Sequence, residues 1–223
     1  MGRDRLNQGF FLAIAGNIGV GKTELTNRLS AELGWLAYYE PVIQNPYLDP
    51  FYRDMPRWSF HLQIYFLSER FKAQVEIGRS SLPFIQDRTI YEDAEIFART
   101  LHAQGSMTDV DYENYTSLFK VMIDFLRRPD VILYLRASPE TLMARIARRG
   151  RDSEKGIGID YIQRLNDAYE DWMRRAAAET EVLVIDTDHV PLQGETPAFR
   201  DLVEQLTRRY PPQAELPLEG PSG

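Results

Sequence analysis

The residues from Gly16 to Thr23, Gly16-Asn17-Ile18-Gly19-Val20-Gly21-Lys22-Thr23, spell GxxxxGKT. The glycines permit backbone angles that turn successive amides inward. With the N-terminus of a following helix, those amides form an anion cradle. In such a loop Lys22 reaches the β- and γ-phosphates of a nucleotide, and the Thr23 hydroxyl holds Mg²⁺. Three further groups suit the same chemistry. Glu40, in Glu40-Pro41, offers a carboxylate that can accept the proton of an attacking hydroxyl. Asp87, in Asp87-Arg88-Thr89, suits a second ligand to the metal. Arg88 is a fixed cation that would keep Glu40 ionised and help place the hydroxyl oxygen. Arg145, Arg149 and Arg151 border a glycine-broken, charge-dense loop, Arg148 to Gly158. Phosphoryl transfer spreads charge over several oxygens, so arginines that close over it are useful. The bland alternatives are a solvated loop glutamate for Glu40, a helix-capping Asp87 and a solvated basic helix end.

These groups need elements to hold them. Phe10–Ala15 is a short, continuous apolar run, which predicts a buried strand before the glycine loop. Thr23–Leu33 predicts a helix stopped by Gly34. Further strands are expected at 35–39, 82–86, 131–135 and 182–185. Helices are expected at 58–77, 90–103, 109–126, 160–178 and 197–209, and one more from Ser138 with Pro139 in its first turn. A proline-punctuated stretch, 41–56, carries no regular element in this reading. Strands and helices alternate, so the expected fold is α/β: about five parallel strands covered on both faces. Glu40 and Asp87 both fall just past the carboxyl end of a strand, the side on which parallel sheets bind ligands.

Composition narrows the function classes. The 223 residues carry a net charge of -7, which argues against a partner that is duplex nucleic acid. A local positive pocket for a small phosphate ligand is compatible with that charge. There are no cysteines, which removes disulfides and thiolate catalysis and fits a cytoplasmic protein. No apolar run is long enough for a membrane span. Leu6 stands where a myristoylation signal wants serine or threonine. Residues 1–8 and 211–223 are expected to be loose tails of one domain, with no internal boundary.

Two pairs of residues point at an acceptor. Gln63 and Arg70 lie seven apart on one predicted helix, and Asp93 and Phe97 four apart on the next, so each pair shares a face. Gln63 offers a donor and an acceptor in one plane, suited to the edge of a base. His61 is expected to pack rather than react. Tyr112, Tyr115 and Phe119 form a helical stripe suited to core or to the face of a homodimer.

Taken together the blocks GNIGVGKT, Glu40-Pro41-Val42, RWSFHLQIYFLSERF, QDRTIYEDAEIFA, RIARRGRDSEKGI and VIDTDHV resemble the deoxynucleoside kinase family. The resemblance implies a P-loop kinase fold with an arginine-rich lid, ATP as phosphate donor, Mg²⁺ and a small-molecule deoxynucleoside. It implies Glu40 as base, Arg145, Arg149 and Arg151 as the lid, and Tyr52 and Glu154 against the sugar. It sets Gln63 and Asp93 on the base edge, Arg70 paired with Asp93, and Phe97 stacked on the base. The last block puts Asp186 and Asp188 on the nucleotide side. Thr89 replaces the family's usual serine, and Asn45 stands where many members have tryptophan. The HLQIYFL and DRxIYED pairing resembles the bacterial deoxyadenosine branch, ranking deoxyadenosine ahead of deoxycytidine and deoxyguanosine. A nucleoside monophosphate kinase is a poorer match, because Glu40 would repel a phosphorylated acceptor. A nucleotide-binding regulatory module would have no use for the base-edge residues.

Overall fold

The computed structural model describes residues 9–39, 45–190, 192 and 194–210. Glu40, the expected base, therefore lies outside the described residues. At the centre is β1 (Phe11–Gly16), buried along its whole length, as its unbroken apolar sequence requires of a strand covered on both faces. It pairs on one side with β3 (Phe84–Asp87) and on the other with β4 (Val131–Arg136). The short β2 (Leu36–Tyr38) and the strand β5 (Glu181–Asp186) form the edges, giving the order β2-β3-β1-β4-β5, all parallel. The fold class follows the sequence expectation.

The helices are α1 (Lys22–Leu33), α2 (Leu48–Arg53), α3 (Met55–Ile77), α4 (Ile90–Glu92), α5 (Arg99–Ala103), α6 (Asp109–Ile123), α7 (Pro139–Arg149), α8 (Ile159–Ala176) and α9 (Pro197–Arg209). Several boundaries have a local cause. Helix α1 ends on Gly34 at φ 66°. Ser138 caps α7 by accepting the Thr141 amide, with Pro139 in the first turn.

Three expectations change. The stretch 41–56 holds α2, because Pro50 falls in a first turn, where no amide is needed. Helix α3 starts at Met55 rather than Trp58, since the Asp54 carboxylate accepts the Arg57 amide and caps it. The helix predicted over 90–103 is continuous in space but widens into a π-helix at Asp93–Ala98. Such segments are uncommon and gather at functional positions.

Register decides what meets what. The β1–β3 ladder ends on Ile14↔Asp87 and the β1–β4 ladder on Gly16↔Leu135. The loop after β1 and the turn after β3 therefore emerge side by side at the carboxyl edge of the sheet.

Candidate active site

Gly21 opens α1 in a left-handed conformation, φ 105°, where a β-carbon would be strained whatever the space around it. At Gly16 a β-carbon would lie 2.6 Å from the Leu135 carbonyl. The loop is thus glycine for two reasons, backbone angle and close packing. The Lys22 ammonium is buried and donates to the Gly16 and Asn17 carbonyls at 2.7 and 3.0 Å. The Asn17 side chain turns away from the loop's concave side. It donates to the Ile162 carbonyl and to Asn166 on α8, and accepts the Ile18 amide. Its part is to shape the cradle rather than to line it.

The Thr23 hydroxyl donates to Asp87 Oδ2 at 2.5 Å, while the buried Oδ1 of Asp87 has no hydrogen-bond partner among the described residues. A hydroxyl beside an orphaned carboxylate oxygen fits Mg²⁺, which takes one or two protein ligands and completes its shell with water and phosphate. Among the described residues no cluster of three or more His, Cys, Asp or Glu exists.

Beside Asp87, Arg88 is a non-glycine residue at φ 66°, a conformation that persists only when its surroundings enforce it. Its amide donates to the Ile14 carbonyl and its own carbonyl accepts from Arg70 at 2.8 Å. Its guanidinium lies over Phe97, 4.3 Å from the ring centroid.

A cavity of about 670 Å³ runs from the glycine loop to these residues. Lys22, Thr23, Asp87 and Arg88 line it, and so do Gln63, Asp93 and Phe97, with Phe97 under the Arg88 guanidinium. Tyr52, Glu154, Arg145, Arg149 and Arg151 close its side. Gln63 is 2% exposed, and its Oε1 has no hydrogen-bond partner among the described residues. A buried amide oxygen at a cavity wall is costly unless something in the cavity donates to it.

Arg70 pairs with Asp93, each side chain 2% exposed, but only Asp93 lines the cavity. The pairing with Asp93 is the one expected; Arg70 itself is not among the lining residues and also donates to the Arg88 carbonyl. Arg149 grips Glu154 through two bonds, and Arg151 approaches the same carboxylate at 3.5 Å. Arg145 bonds the Val20 carbonyl and Thr187. Asp186 and Asp188 do not reach the cavity. Asp188 accepts the Ser138 amide and Asp186 pairs with Arg136, so both serve the starts and ends of secondary structure. From that loop it is Thr187 that faces inward, beside Arg145 in a smaller recess of about 110 Å³.

Other lining residues escaped the sequence reading. Phe51, Phe66 and Tyr161 supply apolar wall, and burial pushes the Tyr161 hydroxyl well above its ordinary pKa. Asn45 is not among the lining residues; its side chain accepts the Tyr47 amide. Glu92 was also missed, though Thr89-x-x-Glu92 is a capping-box spacing and could have revealed it. No histidine lines the cavity; His61 packs among Tyr47, Trp58 and Phe60.

A glycine loop at the end of the central parallel strand, an acid and arginine at the end of its neighbour, and arginines along and just past α7 define a P-loop kinase fold. A profile of the deoxynucleoside kinase family matches residues 12–209. The deoxyadenosine/deoxycytidine kinase of Bacillus subtilis is 41% identical over 197 residues, 87% of this chain and 90% of that protein. The deoxyguanosine kinase of the same organism is 35% identical, over 82% of this chain and 89% of its own. Deoxyadenosine kinase from M. mycoides, solved with bound dCTP, superposes with a TM-score of 0.78 at 30% identity, over 89% of this chain and all of that one. The chain belongs to the deoxynucleoside kinase family, and its activity is phosphoryl transfer to a deoxynucleoside.

Proposed function

We propose that this enzyme transfers the γ-phosphoryl group of ATP to the 5′-hydroxyl of deoxyadenosine, in preference to deoxycytidine and deoxyguanosine. One observation carries the choice of acceptor end: a single cavity joins the phosphate cradle to Gln63, whose buried carbonyl oxygen lacks a partner among the described residues. Gln63 Oε1 accepts from the exocyclic amine of the base, and the Asp93 carboxylate closes the same edge. Phe97, with Arg88 over it, offers its ring to the base plane. The relative named for deoxyadenosine and deoxycytidine, from Bacillus subtilis, and the one named for deoxyadenosine, from Dictyostelium discoideum, are each 41% identical, against 35% for the Bacillus deoxyguanosine kinase. That ordering favours adenine or cytosine over guanine, and the Dictyostelium relative is named for adenine alone.

Glu40 takes the proton of the 5′-hydroxyl as its oxygen attacks, and Arg88 holds that oxygen and keeps Glu40 ionised. Lys22 and the loop amides bind the donor phosphates. Thr23 and Asp87 hold Mg²⁺, which when bound offsets charge on those phosphates. Arg145, Arg149 and Arg151 neutralise charge that develops on the transferred group, and Tyr52 and Glu154 orient the sugar. We place the enzyme in the cytoplasm as a homodimer. Tyr115 and Phe119 are buried in the core, so the dimer face falls to the exposed Val110, Leu118, Val121 and Phe125 along and just beyond α6.

The test is transfer of labelled phosphate from ATP to each of the four deoxynucleosides, with Lys22→Ala as the control for donor binding. The proposal requires deoxyadenosine to give the highest kcat/KM. Equal or better turnover of deoxycytidine or deoxyguanosine would overturn the ranking.

A further inference from the structure

Glu92 is completely enclosed, at 0% exposure, and no step above uses it. Its carboxylate gathers donors from three elements. Oε1 accepts the Gly16 amide at 3.3 Å and the Tyr169 hydroxyl at 2.7 Å. Oε2 accepts the Thr89 amide at 3.1 Å. The Arg88 Nε stands 3.9 Å from Oε1. All three hydrogen-bonding groups donate and the fourth is a cation, which matches the pocket to an acceptor-only carboxylate.

The position of this group is what gives it consequence. Strand pairing between β1 and β3 stops at Ile14↔Asp87. Gly16 and Thr89 lie past the last rung, on the loops that carry the donor cradle and Arg88. The two oxygens of Glu92 span these loops and act as one more rung. Behind them Tyr169 ties the rung to α8, the helix that also holds Asn17 through Asn166 and lines the cavity with Tyr161.

We propose that Glu92, backed by Tyr169, is a positioning residue that sets the spacing between the phosphate loop and Arg88 during phosphoryl transfer. This rests on the donor and acceptor ends assigned above. In-line transfer needs the attacking oxygen within about 3–3.5 Å of the phosphorus, and a displacement of about 1 Å costs on the order of 100-fold in rate. Burial drives the Glu92 pKa upward, against the opposing pull of Arg88, Lys22, the Tyr169 hydroxyl and Arg70.

The experiment compares Glu92→Gln, Tyr169→Phe and a control, Tyr134→Phe. The Tyr134 hydroxyl bonds Glu170, and its ring stacks on Tyr169, so the control deletes a hydroxyl from a buried tyrosine without removing a Glu92 bond. For each variant kcat, both KM values, the Kd of each substrate alone and Tm are measured. Glu92→Gln should lower kcat about tenfold or more while each Kd stays within about threefold, and the loss should persist far below its Tm. Tyr169→Phe should lose about two- to fivefold in the same pattern, and Tyr134→Phe nothing. A Glu92→Gln enzyme with a lower Tm but kcat within twofold of wild type would make the carboxylate merely structural and overturn the proposal. If that variant does not fold, an unchanged kcat in Tyr169→Phe overturns it equally. Wild type that phosphorylates none of the four deoxynucleosides would sink the functional reading, and this inference with it.

Discussion

Arg70→Met should damage the enzyme more than the double change Arg70→Met with Asp93→Ala. The two side chains are each 2% exposed and pair with one another, and Arg70 also donates to the Arg88 carbonyl at 2.8 Å. Removing Arg70 alone leaves the Asp93 carboxylate buried without its counter-charge, a cost of about 3–5 kcal/mol. At roughly 2–4 °C per kcal/mol for a chain of this size, Tm should fall on the order of 6–20 °C. Deleting Asp93 as well removes the stranded charge. What remains is one unpaired carbonyl at Arg88, about 1–3 kcal/mol, so the double variant should recover part of the loss.

Activity should separate from stability. The double variant removes the charged edge of the base pocket and opens space beside Gln63. Its kcat/KM on deoxyadenosine should drop about 10- to 100-fold, the loss of a charged hydrogen bond, and thymidine turnover should rise from near zero. Thermal melts and kcat/KM on both nucleosides, for wild type, both singles and the double, decide the matter. If Arg70→Met melts no lower than the double, the buried-charge argument is wrong. If the double loses deoxyadenosine turnover and gains none on thymidine, the pair supports the structure without setting specificity.

Glu40→Gln should keep binding of both substrates and lose about 10²- to 10⁴-fold in kcat; more than half the rate retained would remove Glu40 as base. Arg151→Ala should lower kcat more than it raises KM, because its charge acts on the transition state, and a pure KM effect in steady-state kinetics would make it a ground-state anchor. Asp87→Asn should raise the Mg²⁺ concentration needed for half-maximal rate without changing the order of nucleoside preference. A magnesium titration that superimposes on wild type would exclude Asp87 from the metal's surroundings.

Much of the molecule is written locally. The alternation of apolar runs with amphipathic segments determines a parallel α/β sheet, because burial and backbone pairing leave such a pattern few other arrangements. The glycine loop declares itself for the same reason: backbone angles near Gly21 are a property of a few adjacent residues. Gln63, Asp93 and Phe97 could be placed on faces by helical spacing alone.

What spacing cannot supply is depth and direction. It put Arg70 and Gln63 on one helix face, but only packing shows that Arg70, besides pairing with Asp93, donates to the Arg88 carbonyl. The family resemblance put Asp186 and Asp188 near the nucleotide, whereas in the fold their carboxylates bond Arg136 and the Ser138 amide, partners 50 residues away. Glu92 is the clearest case. In the sequence it is the last residue of a capping box, a local device. Only the parallel register, which brings Gly16 alongside Thr89 past the last strand pair, turns it into a buried link between the two halves of the site.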